Sequence, residues 1–116
     1  MKDILGVCLC NTYKKGINDE KLKDKTRRAW KINNKNINNI KFIVGFFNKQ
    51  IVSIYKVKEN NSYKEIITEK NGKREKRYSF NVYNEIDEET ENKIRKAFNN
   101  KVIFHGAIRY LNSEDL

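Results

Sequence analysis

Between Lys21 and Lys31 the chain gathers Lys21, Lys23, Lys25, Arg27, Arg28 and Lys31, answered only by Glu20 and Asp24. Ammonium and guanidinium groups at this density neutralise phosphates and release condensed counterions, so binding to a polyanion would weaken steeply with salt. A second basic cluster, Lys70, Lys73, Arg74, Lys76 and Arg77, surrounds the dipeptide Asn71-Gly72. Each cluster has a plainer reading. The first is a solvated helix face, and the second is a charged hairpin tip that discourages edge-to-edge strand pairing.

Aromatic side chains are interleaved with these cations: Trp30, Tyr55, Tyr78, Phe80 and Tyr110. An exposed ring stacks on an unpaired base, each contact being worth about 1–3 kcal/mol, and a pocket of rings holds a flipped or modified base. Rings on alternating strand positions more commonly fill a core. Phe80 is expected there, whereas Trp30 and Tyr55 fit either role.

Other chemistry has little to stand on. His105 is the only histidine, so zinc would lack ligands beyond the pair Cys8 and Cys10. Those thiols share one face of an apolar strand and read as small buried apolar side chains, with raised rather than lowered pKa. No Ser-His-Asp order, Walker loop or His-Glu-x-x-His is present. The carboxylates Glu88, Glu89 and Glu91 are accounted for by helix capping. No catalytic residue, metal site or cofactor is expected.

The elements that must position these groups follow from local pattern. Ile4 to Cys10 is an apolar run suited to a strand buried on both faces. Asn18 caps a helix with Asp19 and Glu20 in its first turn and Arg27 and Arg28 near its end. Either that helix continues, with Leu22, Thr26, Ala29 and Trp30 on one face, or it stops near Arg28 and Trp30-Lys31-Ile32 begins a strand. The Asn-rich connection from Asn33 to Asn39 has room for one helical turn.

Next come two strand-like runs, Ile40 to Phe47 and Gln50 to Lys58, joined by the hairpin signal Asn48-Lys49. Asn60-Asn61-Ser62 reads as a polar loop, and Tyr63 to Lys70 as a further hairpin arm. Asn71-Gly72 then turns the chain into a strand where Tyr78, Phe80 and Val82 alternate with Ser79 and Asn81. Asp87 caps a second helix with Thr90, Ile94, Ala97 and Phe98 as its buried stripe. Val102 to Phe104 and Ala107 to Leu111 read as short closing strands.

These elements occupy 116 residues without proline, repeat or linker, which implies a single domain over 1–116. The net charge of +10 favours a polyanionic partner, RNA or DNA, even after allowing for the Lys- and Asn-rich composition of an AT-rich genome. No apolar run approaches a membrane span and no secretory signal precedes the first strand, so a soluble, cytoplasmic protein without membrane contact is expected.

Thr26-Arg27-Arg28-Ala29-Trp30 resembles the Thr-Arg-Gly-x-Trp motif of a domain that follows GIY-YIG nuclease domains in some bacterial proteins. The resemblance continues through the alternating hairpin from Ile40 to Lys58, with Tyr55 in its second arm. It then takes in Tyr78-Ser79-Phe80 and Arg109-Tyr110-Leu111-Asn112, covering about Val7 to Asn112. The order of elements is also similar to the wider PUA-like group, which includes PUA, EVE, ASCH and YTH domains. Arg28 stands where the motif has Gly, and Phe104-His105-Gly106-Ala107 lacks the usual Asn-Pro. No GIY-YIG segment is present, and cutting activity is not expected.

The resemblance implies an α+β fold: a small PUA-like β-barrel of about five to six mostly antiparallel strands with two to three helices. It also implies a nucleic-acid-binding module that reads RNA or a modified or flipped base in a basic, aromatic groove. Lys23, Lys25, Thr26, Arg27, Arg28 and Lys31 would track phosphates, with Trp30 and Tyr55 near a base. Arg77, Tyr78, Arg109 and Tyr110 would complete the groove. On this reading Trp30→Ala loses binding without unfolding. Two rival functions carry different signatures. A nucleotide- or protein-sequestering component of a phage or defence system would co-purify with its ligand, and an ASCH-like hydrolase would turn over modified nucleosides.

Overall fold

The computed structural model describes residues 3–10, 13–28, 30–32, 37–68, 71–98 and 108–111. Strand β1 spans Ile4–Cys8 and leads to helix α1, Asp19–Arg27. A 3-10 turn at Ile37–Asn39 precedes β2, Phe42–Phe47, and β3, Gln50–Thr68. Then come β4, Arg74–Val82, helix α2, Glu88–Phe98, and β5, Ile108–Leu111.

Both helix starts are set by their caps. Asn18 accepts a hydrogen bond from Lys21 N at 2.8 Å, and Asp87 accepts from Thr90 N at 2.9 Å and from its hydroxyl at 2.6 Å. The Thr90 hydroxyl, then its backbone N–H, holds the Asp87 carboxyl below the usual carboxylate range, and the Lys56 charge acts the same way. A depressed folded pKa means the cap contributes fully above about pH 4, the unfolded value, and is lost as pH falls through the lower folded one. The helical signal of α2 should therefore hold to about pH 4 and decline below it. An acid titration by circular dichroism against Asp87→Asn, which caps without titrating, checks this, and identical curves for the two proteins would mean that ionisation of Asp87 does not govern the loss.

Helix α1 ends at Arg28, whose backbone is extended, and Trp30 enters an isolated antiparallel bridge with Tyr78. Of the two readings of this segment, the shorter helix is the one formed. Asn48 and Lys49 both take positive φ, 50° and 65°, which the two-residue hairpin between β2 and β3 requires. Gly72 does the same at 80° in the turn before β4.

The strands are ordered β4-β3-β2-β1-β5, with β1 parallel to β2 and the other neighbours antiparallel. The architecture is α+β with a curled, half-barrel sheet. Four strands, β3, β2, β1 and β5, make the curled sheet, fewer than the five to six expected of a small barrel. The far part of β3 carries β4. The polar loop expected at Asn60-Asn61-Ser62 does not form as a break. β3 runs through it, and the register with β4 shifts between Val57 and Ser62. Five steps on β3 face two on β4, so the surplus is taken up as an irregularity within a continuous ribbon.

Alternation along the central strands divides the core between the helices. Leu5, Val7, Ile43 and Phe80 are buried on the α1 side, and Ile4, Val44, Phe46 and Ile94 on the α2 side. Phe46 meets Phe98 with ring centroids 5.0 Å apart. Ala97, expected in the buried stripe of α2, is exposed, because Ile94 and Phe98 already span the contact. The cysteines also differ from expectation. Cys8 is half-buried, Cys10 is exposed, and the two form a disulfide. β1 ends at Cys8, so the alternation that would have buried both does not extend to Cys10. The strand expected at Val102 to Phe104, together with Ala29, Lys70, His105 and Asn112, lies outside the described residues.

Candidate nucleic-acid interface

Thr26 orients α1. Its side chain is fully buried, with Oγ1 2.7 Å from Ser53 Oγ and donating to Leu22 O at 2.8 Å. The sequence expectation put Thr26 against phosphate, but its hydroxyl is committed to the core. Gly45 makes the room, since a Cβ there would press on Thr26 Oγ1 at 3.2 Å.

With that side of the helix facing inward, Glu20, Lys23, Asp24 and Arg27 form a separate stripe at spacings of three and four residues. The stripe lines a cleft of about 320 Å³ opposite Lys58, Asn81 and Val82 of the β3–β4 ribbon. Lys23 donates through its ammonium to Asn84 Oδ1, and Arg27 is held by Asp24 at 2.7 Å. The cleft thus sets Lys23, Arg27 and Lys58 against Glu20 and Asp24, an excess of one positive charge.

Trp30 ties the end of α1 to β4. Its backbone exchanges two hydrogen bonds of 2.9 Å with Tyr78, its indole N–H donates to Thr26 O at 2.8 Å, and its ring packs on the α1-side core. Tyr55, Tyr78 and Tyr110 are likewise half-buried against that core, and Phe80 lies within it as expected. Burial raises the pKa of the Tyr55 hydroxyl, and the Asp19 carboxylate adds to the effect. These rings pack on or in the core and are not among the residues that line the cleft.

The remaining expected residues separate into two groups. Lys31 and Arg77 converge on Glu75, at 2.6 and 3.3 Å, so one largely buried carboxylate is shared between two cations. Lys25 and Arg28 are exposed on or just beyond α1. The backbone of Arg109 pairs with Gly6 in β5, and its side chain lies outside the described residues.

The site also contains residues that sequence reasoning missed: Lys56, Lys58, Tyr83 and Asn84. Lys56 and Lys58 place their ammonium groups 5.8 and 5.6 Å from the centre of the Tyr83 ring. The Lys-x-Lys spacing in a strand was a usable signal, because it puts both cations on one side. Tyr83 had none, since it lies just past the alternating stretch of β4. Among the described residues, no group of three or more His, Cys, Asp or Glu is placed to hold a metal, and no helix is long and apolar enough to cross a membrane.

Comparison with family models, with curated proteins and with solved structures returned no match.

Proposed function

We propose that this domain is a nucleic-acid-binding module whose contact surface is the α1–β3–β4 cleft and its rim. The observation that carries the reading is the position of Lys58, which lines the cleft with Lys23 and Arg27 and also stands over the exposed ring of Tyr83. A basic helix face and an aromatic ring thereby meet on one surface, in a chain of net charge +10. Phosphates would take Lys23 and Lys58 directly and compete with Asp24 for Arg27. The curled α+β sheet is compatible with a small barrel such as the PUA-like scaffold that the sequence resembles, and that resemblance makes RNA or a modified base the first ligands to try.

The test is binding of labelled single-stranded and duplex oligonucleotides, DNA and RNA, measured over a salt series. The logarithm of affinity should fall linearly with the logarithm of salt concentration. Lys23→Ala and Lys58→Ala should each reduce that slope by about 1. If the domain shows no salt-sensitive affinity for any of these ligands, the proposal fails.

A further inference from the structure

Tyr83 is the one large hydrophobic side chain left exposed among the described residues, with 44% of its surface open. It does not hang from a loose loop, because its backbone N–H donates to Lys56 O at 2.9 Å just past the end of β4. Lys56 and Lys58 both reach the ring, and neither has a carboxylate within ion-pair distance among the described residues, although the Lys56 charge acts on Asp87 and Lys58 shares the cleft with Glu20 and Asp24. The electron-rich face of a tyrosine attracts one ammonium group, but two on the same ring also repel each other. An anion arriving beside the ring relieves that repulsion.

We infer that Tyr83 is a stacking platform for an unpaired base, with Lys56 and Lys58 taking the phosphates on either side of it, so that the ligand is single-stranded nucleic acid. This rests on the nucleic-acid reading above and narrows its substrate class. Each nucleoside in a strand carries a phosphate before and after it, which matches two ammonium groups beside one ring. A base inside a duplex has both faces covered by its neighbours and offers a protein ring nothing to stack on, whereas an unpaired base does. Stacking tolerates any base and either sugar, so single-stranded DNA and RNA share the chemistry. From a base on Tyr83, Lys58 leads the strand toward Lys23 and Arg27 in the cleft.

The experiment compares one short labelled sequence as single-stranded DNA, as single-stranded RNA and as duplex, by fluorescence anisotropy across salt concentrations. Wild type should prefer the single strands. Tyr83→Ala should weaken single-strand binding by roughly 5- to 100-fold, with duplex binding and the salt slope unchanged. Tyr83→Phe, which keeps the ring, should bind as wild type does. Because the side chain is exposed, circular dichroism should show the alanine variant folded. Equal affinity of wild type for single strand and duplex, or unchanged single-strand binding by Tyr83→Ala, overturns the inference and leaves the broader reading standing. Absence of binding to every ligand overturns both.

Discussion

Gly45→Ala is expected to lower the melting midpoint by roughly 10 °C, for a penalty of about 2–3 kcal/mol. The backbone is not the reason, because Gly45 does not take the positive φ seen at Gly16 and Gly72. The cost is steric. A methyl group at this position would sit 2.9 Å from Leu9 Cδ1, 3.2 Å from Thr26 Oγ1, and closer still to Ser53 Oγ. Ser53 can swing away only by giving up its bond to Thr26 and leaving a buried hydroxyl without its partner, itself a loss of about 1–3 kcal/mol. Ser53→Ala in the Gly45→Ala background removes the nearest obstacle, and Thr26 keeps Leu22 O as acceptor, so part of the loss should return. Thermal unfolding followed by the fluorescence of Trp30, the only tryptophan, checks both variants. A Gly45→Ala protein that melts with wild type would mean that α1 does not sit in this notch.

Trp30→Ala should unfold or strongly destabilise the domain, by about 3 kcal/mol, rather than leave a folded protein that no longer binds. The motif reading expected the second outcome. The structure favours the first, because the indole is packed on the core, hydrogen-bonded to Thr26 O, and part of the clamp joining the end of α1 to β4. Lys58→Ala supplies the contrast. It removes an exposed ammonium group from the cleft and should leave the stability within about 0.5 kcal/mol of wild type while weakening binding. Circular dichroism melts of the two variants beside wild type separate the cases. If Trp30→Ala melts unchanged yet loses affinity, the indole belongs to the ligand surface after all.

The parts of this fold that were legible in the sequence were those set within a few residues. Asn18 and Asp87 cap their helices, Asn48-Lys49 and Asn71-Gly72 turn their hairpins, and the apolar run from Ile4 forms a buried strand. Each depends on an intrinsic preference: a side-chain oxygen for a free N–H, a residue tolerant of positive φ, or an apolar pattern at strand spacing. Asn60-Asn61-Ser62 misled for the same reason. Its residues prefer turns, but β3 stays extended through them, and the irregularity appears as the register shift between Val57 and Ser62.

The candidate site was legible only in part. Lys23 and Arg27 reach the cleft from the basic stretch that drew attention to them, while Lys31 and Arg77, equally basic, are drawn to Glu75. Nothing local to Lys31 names Glu75 as its partner, since the two are brought together by the Trp30–Tyr78 bridge. Thr26 reads as a polar residue among cations until the packing of α1 turns it toward Gly45 and Ser53.

Residue types and their spacing therefore set where chain segments start, turn and alternate, and composition sets the large excess of positive charge. Which cations face a cleft, which sit beside a carboxylate, and that Tyr83 rather than Trp30 is the exposed ring among the described residues follow from contacts made across the fold. Caps, turns and periodicity act over a handful of residues and are written into residue types. Burial and charge pairing depend on groups brought together across the fold: Lys58 and Tyr83 meet through the β3–β4 ribbon, and Lys23 joins them only when α1 settles against it.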